Sequence, residues 1–178
     1  YHNLNSLQSR SGNQLPFTSI NYGTCTLPEG RMVIKALLEG SIEGVGKIRK
    51  TPIFPCGIFQ CMKGVNRKPG DPNYDLFKLA CKVSSKRLFP NFSFIDSPYN
   101  KEFYREDDFN TEVAYMGCRT RVLANGVDSN KAVTAGRGNL SFTSINLPRL
   151  GIKHGIISNG KADLDAFFAE LEEKMDLV

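Results

Sequence analysis

The chain has 178 residues, of which 40% are hydrophobic and 23% charged, and its formal net charge is +5. That length can bury one sizeable core, and no apolar run approaches the roughly 20 residues of a membrane span, so one domain outside the membrane is expected. The positive charge suits an anionic ligand such as a nucleotide but is too diffuse to indicate nucleic-acid binding. Five cysteines, an odd number without regular spacing, favour a reducing cytoplasm over a disulfide framework.

The first third of the chain predicts a strand, a helix and a second strand. Residues 15–21 are apolar and β-branched, as in a strand. Residues 26–43 predict a helix with Pro28 in its first turn, and four of its residues are expected to face the core: Met32, Val33, Ala36 and Leu37. Residues 53–62 predict a second strand, whose first half Pro55 turns into a loop or edge.

The middle third predicts another helix and a short strand. Asp71 is expected to cap this helix, with Pro72 at its first position. Its buried stripe is predicted to consist of Leu76, Leu79, Ala80 and Val83. A short strand over residues 92–95 follows, and then a polar loop that extends to residue 110.

Residues 111–123 predict a hairpin of two short apolar strands that meet at Gly117 and Cys118, since glycine lets the backbone turn freely. If the chain is extended after the turn, Cys118 and Thr120 face one side while the neighbouring arginines face the other. A thiol in an apolar interior keeps its proton, which suits hydrogen-atom donation better than nucleophilic attack or metal binding. The alternative is a structural core cysteine, since free cysteines are commonly buried.

The last third predicts a strand over residues 140–147 and an amphipathic helix over residues 160–178. The segment Phe17-Thr-Ser-Ile-Asn21 recurs as Phe142-Thr-Ser-Ile-Asn146, which suggests two equivalent strands in a pseudo-symmetric sheet or barrel. Alternating strands and helices favour an α/β fold with mostly parallel pairing. Neither end carries a capping signal, so we expect the chain to be a piece of a longer one.

Familiar site signatures fail on spacing. The stretch from Gly44 to Lys47 lacks the Ser or Thr of a phosphate loop, and the one that begins at Asp71 lacks the glycine and glutamate of a calcium loop. His2 and His154 have no partner pattern and are expected on the surface. The residues therefore predict neither a metal site nor acid–base chemistry.

The stretch Tyr115-Met-Gly-Cys-Arg-Thr120 resembles the finger loop of the anaerobic, class III ribonucleoside-triphosphate reductases. The resemblance continues in order through five further segments that together span most of the chain: Ser11–Thr24, Thr51–Pro55, Gly70–Asp75, Lys86–Asn91 and Gly138–Arg149. It implies that residues 1–178 are part of one catalytic domain, a ten-stranded α/β barrel of two antiparallel five-stranded halves with the finger loop inside. That barrel would account for the repeated segment.

The resemblance also implies a radical reaction. In the family, a glycyl radical takes a hydrogen atom from the finger-loop cysteine, which Cys118 matches, and the thiyl radical then removes the 3′ hydrogen of a bound ribonucleotide before the 2′ hydroxyl leaves as water. Asn139 resembles the family's active-site asparagine, and Gly117 and Thr120 are expected to contact substrate beside the cysteine. Thr120 stands where oxygen-dependent reductases carry a glutamate, so formate is the expected reductant and a thiol protein the alternative.

The intact enzyme is further expected to carry a C-terminal zinc, to respond to ATP and deoxynucleotide effectors, to be activated by a radical-SAM iron–sulfur enzyme, and to form a homodimer in the cytoplasm. The N-terminal regulatory part and the C-terminal part with the glycyl radical and zinc are expected outside residues 1–178, so this chain alone should be inactive. Two other functions stay open at this point: a glycyl-radical lyase of small acids, and a non-catalytic nucleotide-binding barrel with a structural Cys118.

Overall fold

The structure is a computed structural model that describes residues 1–7, 15–105, 108–117, 120–123 and 143–178. It forms two compact units, one over Tyr1–Arg137 and the other over Gly138–Val178. No helix in these described ranges is long and apolar enough to cross a membrane.

A three-stranded parallel sheet is the centre of the first unit, with the strands in the order β1, β2, β3. The unit begins with the short helix α1, His2–Ser6. The strands are β1, Ser19–Tyr22, β2, Cys56–Cys61, and β3, Asn91–Phe94, and they alternate with the helices α2, Pro28–Glu43, and α3, Tyr74–Arg87. These two strand–helix–strand units confirm the predicted α/β fold with parallel pairing, since a parallel pair needs such a crossover.

Helices α2 and α3 cover one face of the sheet, here called the helix face. Its core contains eight buried residues: Tyr22, Ile34, Leu38, Phe59, Cys61, Leu76, Ala80 and Val83. Every residue of the central strand β2 is buried. Burial of each large side chain contributes about 1.5–3 kcal/mol relative to exposure, so this face makes a large contribution to the stability of the unit.

The rotation of helix α2 differs from the prediction. Met32 and Val33, expected inside, are 67% and 59% exposed, and Ala36 is exposed as well, whereas Leu37 is half-buried. The buried residues are Ile34, Leu38 and Ser41, which lie four and three positions apart on one face. The helix has two adjacent apolar stripes, and the stripe with Ile34 and Leu38 packs into the cluster around Phe59.

Helix α3 confirms the predicted helix but begins later than expected. Asn73, not Asp71, is its N-cap residue. The Asp71 carboxylate instead accepts hydrogen bonds from the backbone N–H groups of Arg67 and Lys68, both at 2.9 Å. Of the predicted stripe, Leu76, Ala80 and Val83 are buried and Leu79 is partly buried.

The chain after the sheet forms short elements that lead into a hairpin. Helix α4 is Pro98–Lys101, and a single 3₁₀ turn follows at Phe109–Thr111. Strands β4, Ala114–Met116, and β5, Thr120–Val122, pair antiparallel, which confirms the predicted hairpin. The turn residues 118 and 119 lie outside the described residues.

The second unit is helical where it is described, with α5, Leu147–His154, α6, Ile156–Asn159, and α7, Leu164–Leu177. The predicted strand is wrong over residues 143–146, which form no strand; residues 140–142 lie outside the described residues. The Asn146 side chain instead caps α5 by accepting a hydrogen bond from the Arg149 N–H at 2.9 Å. The two copies of the repeated segment are therefore not equivalent strands over their described parts.

Helix α7 confirms the predicted terminal helix, and Asp163 caps it. His154, expected on the surface, is half-buried instead, because its Nε2 lies 2.7 Å from Glu170 Oε2. Lys153 Nζ donates to the same oxygen at 2.6 Å. Hydrogen bonds from Lys153 and His154 lower the pKa of Glu170 to about 2, so the carboxylate stays charged through the neutral range.

Candidate active site on the polar face of the sheet

The face of the sheet opposite helices α2 and α3 carries polar side chains. Successive residues of a strand point to opposite faces, so the residues between the core positions Ile20, Tyr22, Phe59 and Phe92 face away from the helices. These residues include Ser19, Asn21, Gln60 and Ser93. The hairpin of β4 and β5 lies against this face, here called the hairpin face.

Asn21 binds the hairpin as a neighbouring strand would. Its Nδ2 donates to the Tyr115 carbonyl oxygen at 2.9 Å, and its Oδ1 accepts from the Tyr115 N–H at 2.9 Å. One side-chain amide thereby satisfies both backbone groups of Tyr115, which the partner strand β5 leaves unused on that edge.

Two further side chains extend this contact along β4. Ser19 Oγ accepts a hydrogen bond from the Gly117 N–H at 2.5 Å. Gln60 Nε2 donates to the Val113 carbonyl oxygen at 3.2 Å. The bound backbone groups belong to residues 113, 115 and 117, which lie on one edge of the strand, so the hairpin is fixed up to the residue before Cys118.

The returning strand β5 has its own anchor. Arg121 donates from Nη1 to the Tyr99 carbonyl oxygen and to Asn100 Oδ1, both at 3.2 Å. Its guanidinium carbon also lies 5.3 Å from the centre of the Tyr99 ring, a cation–π distance. Val122 is buried and Thr120 half-buried while Arg121 is exposed, which agrees with the predicted alternation of the described residues.

Gly117 adopts a left-handed backbone with φ of +60°, and a Cβ added there would meet nothing within 4 Å. Glycine is therefore favoured at position 117 because of the left-handed backbone conformation, and not because a larger side chain would clash with a neighbour. This confirms the predicted glycine turn. The predicted site residues Cys118 and Asn139 lie outside the described residues, as does the glycine loop before Asn139.

A small cleft of about 150 Å³ opens beside the hairpin. It is lined by residues of β2, β3, α4 and β4, among them Ile58, Asn91, Ser93, Tyr99 and Tyr115. Ser93 is 5% exposed, and its hydroxyl has no hydrogen-bond partner among the described residues. A buried hydroxyl without a partner is uncommon, and the cleft therefore offers one unused polar group beside β4.

A carboxyl group lies at the entry to the hairpin. Glu112 directly precedes the loop into β4, and its Oε1 accepts a hydrogen bond from Thr24 Oγ1 at 3.2 Å. Burial raises the pKa of Glu112, and the Thr24 hydrogen bond opposes this in part. The Glu112 side chain therefore connects the entry of the hairpin to the loop after β1. Ionisation of this carboxyl costs free energy because the group is buried.

The described residues contain no group of three His, Cys, Asp or Glu side chains that could hold a metal ion. The cysteines Cys25 and Cys81 are exposed and Cys56 and Cys61 buried, and all four are free thiols. Burial is the main cause that raises the pKa of Cys61 to about 12, so this thiol stays protonated. It lies in the core of the helix face and not at the hairpin.

The sequence pattern did not predict the three side chains that hold the hairpin, Ser19, Asn21 and Gln60. The available signal was the alternation Ser-Ile-Asn-Tyr in β1, which places small polar groups on one face and apolar groups on the other. That pattern predicts a polar sheet face, but it does not reveal which distant segment the polar groups bind.

The whole chain, residues 1–178, matches the sequence model of the family described as anaerobic ribonucleoside-triphosphate reductase. Among curated proteins of that description, the one from Salmonella typhimurium is 34% identical over 98% of this chain and 22% of its own length. The protein from Escherichia coli K12 is 33% identical over the same shares, 98% and 22%. The protein from Enterobacteria phage T4 is 36% identical over 98% of this chain and 27% of its own length. The chain thus spans about a quarter or less of the length of these relatives.

Proposed function

Because this chain belongs to the anaerobic ribonucleoside-triphosphate reductase family, we propose that it forms part of the catalytic barrel of such an enzyme and carries the cysteine that reacts with the ribonucleotide. The intact protein would reduce ribonucleoside triphosphates to deoxyribonucleoside triphosphates. Family membership argues against a lyase of small acids.

The observation that carries this proposal is the attachment of the hairpin to the sheet. A structural hairpin needs only its own strand pairing and some apolar burial. Here the edge of β4 that leads to the turn is instead bound by Ser19, Asn21 and Gln60 from two different strands. Such an arrangement fixes the height of a turn above the sheet, which a group that must meet a substrate atom requires.

Cys118 has the central role in the proposed reaction. Its thiol gives up a hydrogen atom to the glycyl radical of the intact enzyme, which breaks the S–H bond and leaves a thiyl radical on sulfur. Cys118 then takes the 3′ hydrogen of the ribose, which re-forms the S–H bond and activates C2′. The 2′ hydroxyl leaves as water with one added proton, and formate, as it is oxidised to carbon dioxide, supplies two electrons and the hydrogen that replaces the hydroxyl at C2′. Cys118 finally returns its hydrogen to C3′, which restores the thiyl radical.

The other residues of the proposed site bind and orient. Asn139 would hold the substrate or formate through its amide. Gly117 permits the left-handed turn before the cysteine, and Thr120, half-buried on β5, would contact substrate on the far side of the turn. A threonine cannot serve as the acid–base group that a glutamate would provide, which supports formate over a thiol protein as the reductant.

We extend the proposal to the partners of the intact protein. A radical-SAM iron–sulfur enzyme would generate its glycyl radical, ATP and deoxynucleotides would regulate it, and two copies would form a dimer. The same proposal includes a C-terminal zinc in the intact protein, for which the described residues supply no set of ligands.

Replacement of Cys118 by serine tests the proposal in the intact reductase. Serine is nearly isosteric, but its O–H bond is much stronger than S–H, so it cannot readily give a hydrogen atom to a glycyl radical. Cys118→Ser should bind nucleotide and accept the glycyl radical, yet form no deoxyribonucleotide. Radical content by electron paramagnetic resonance and product formation are measured on the same sample.

Cys25→Ser is the matched control, because Cys25 is an exposed free thiol outside the hairpin. It should keep both the radical and the product. A structural cysteine at position 118 predicts a different result, a modest loss of stability with turnover retained. Product formation by radical-containing Cys118→Ser would therefore refute the proposed role.

A further inference from the structure

The amide of Asn21 makes two hydrogen bonds to the backbone of one distant residue. It binds the N–H and the C=O of a single residue, Tyr115, which lies 94 positions away in the sequence and three positions before Cys118. Both bonds measure 2.9 Å, and the side chain is half-buried. Any rotation of the amide would break both bonds together, so the contact resists sliding of β4 along the sheet.

Ser19 lies two residues earlier on the same face of β1 and binds the Gly117 N–H at 2.5 Å. Ser19 and Asn21 are two residues apart on β1, and the residues that they bind, Gly117 and Tyr115, are also two residues apart. The side chains of β1 therefore hold the backbone of the hairpin in a fixed register. Gly117 is the last described residue before the turn, and its left-handed φ of +60° aims the chain into that turn. The contacts of Ser19 and Asn21 thus fix the backbone that enters the turn.

The returning strand limits the other side of the turn. Arg121 binds the Tyr99 carbonyl and the Asn100 side chain, and its guanidinium stacks on the Tyr99 ring. Only residues 118 to 120 lie between Gly117, held by Ser19, and Arg121, held by α4. The backbone that enters the turn and the strand that leaves it are thus both held by side chains or backbone outside the hairpin.

We infer that Asn21 and Ser19 are positioning residues for the reaction, which hold the cysteine turn at the height where Cys118 meets the ribose. This inference rests on the proposed function of Cys118. The side-chain hydrogen bonds that Ser19 and Asn21 make to described residues go to the backbone of the hairpin, so we assign both a role that acts through Cys118 and not on the substrate. Their loss should slow hydrogen transfer without removing the substrate site.

The chain contains a matched control in Asn5. Its Nδ2 donates to the Phe54 carbonyl oxygen at 2.5 Å, and its Oδ1 accepts from the Phe54 N–H at 3.0 Å. This is the same pair of bonds to a single residue, also from a half-buried asparagine, but in the segment before β2 and away from the hairpin. Asn5 also donates to the Tyr1 carbonyl oxygen at 2.8 Å and accepts from the Ile53 N–H at 2.7 Å. Asn5→Ala therefore removes the same pair of bonds as Asn21→Ala and two more, so it is a stringent control for the loss of hydrogen bonds away from the hairpin.

The experiment compares both variants in the intact, activated reductase, with product formation divided by glycyl-radical content. Asn21→Ala should lower this ratio by about 100-fold, the loss expected when a reacting group moves by about 1 Å. The KM for the ribonucleotide should stay within about twofold of the parent, since no substrate contact is removed. Asn5→Ala should keep both quantities near those of the parent.

Ser19 provides an independent test should Asn21→Ala fold poorly. Ser19→Ala removes the acceptor of the Gly117 N–H and should lower product per radical, whereas Ser19→Thr keeps a hydroxyl on a β-strand and should restore it. Unchanged product per radical in both alanine variants would overturn the inference, as would an equal loss in Asn5→Ala. Either result leaves the proposed role of Cys118 standing, because that role fails only if Cys118→Ser still makes product.

Discussion

The two faces of the parallel sheet use the same three strands for different purposes. The helix face presents Tyr22 and Phe59 to a closed apolar core, whereas alternate residues of those strands present Asn21 and Gln60 to the backbone of the hairpin. In each of these strands, one set of side chains stabilises the core, and the alternate set binds the backbone of the hairpin. The period of two makes this possible within four to six residues.

The two kinds of contact differ in energy. A fully buried Phe contributes about 1.5–3 kcal/mol from burial, whereas a hydrogen bond contributes about 0.5–1.5 kcal/mol net, because the unfolded chain bonds to water instead. The contacts on the hairpin face are therefore weak terms in folding. They are, however, directional, so they fix a position that apolar packing alone would leave less well defined.

The largest effect on stability is expected from truncation of the core. Phe59 is fully buried on the helix face, and Phe59→Ala should cost about 3–5 kcal/mol through lost burial and the cavity left behind. Hydrogen exchange of the buried β2 amides in the intact protein measures this loss. The neighbouring variant Gln60→Ala removes one hydrogen bond on the opposite face and should cost about 1 kcal/mol. Equal losses in the two variants would contradict the division between the faces.

The contents of the helix face could largely be predicted from the sequence. Local signals are strong there: Pro28 and Gly44 mark the two ends of α2, and the spacing of three apolar residues indicates the buried side of α3, namely Leu76, Ala80 and Val83. The rotation of α2 could not be predicted, because its apolar residues form two adjacent stripes and only the packing against Phe59 selects one of them.

The identical segments ending at Asn21 and Asn146 show the limit of local patterns. The first is followed by Tyr22 and Gly23 and continues as a strand, whereas the second is followed by Leu147 and Pro148, and Pro148 lies in the first turn of a helix that Asn146 caps. The five shared residues fit both outcomes, so the residues that follow decide. The hairpin was predicted from local signals, but its anchors depend on partners many positions away.

A medium effect is expected at the glycine turn. Gly117→Ala places a Cβ in open space but keeps the left-handed backbone, so it should cost about 1–2 kcal/mol from conformational strain and lower product per radical by shifting the turn. Gly64→Ala is the control, because Gly64 has a φ of +80° and equally open surroundings. Both variants should lose similar stability, measured by thermal unfolding, and only Gly117→Ala should lose turnover. Loss of turnover in both variants would contradict the claim that the conformation of the Gly117 turn, and not general stability, controls the reaction.

The smallest effect is expected at Glu112. Because burial raises its pKa, the folded state holds the proton more tightly than the unfolded state, and ionisation above the usual carboxyl range costs stability. Glu112→Gln keeps an acceptor for Thr24 and removes the charge, so the variant should be slightly more stable than the parent at pH 7. The difference should vanish as the pH falls below about 4, where the carboxyl is neutral in both states.

Thermal midpoints of parent and variant across pH 3 to 8 measure this difference. Glu102→Gln, at an exposed carboxyl, should leave the profile of the parent unchanged. A Glu112→Gln variant that is less stable than the parent at pH 7 would show that the carboxylate has a charged partner and that the hairpin is tied down by an ion pair.

Amide hydrogen exchange at Tyr115 and Gly117 tests the central claim most directly, since their N–H groups bind Asn21 and Ser19. In the intact reductase both amides should be protected. Asn21→Ala should accelerate exchange at Tyr115 while the Phe54 amide, held by Asn5, keeps its protection. Unprotected Tyr115 and Gly117 amides in the parent, or exchange at Tyr115 that does not respond to Asn21→Ala, would contradict the claim that the hairpin face holds the cysteine turn.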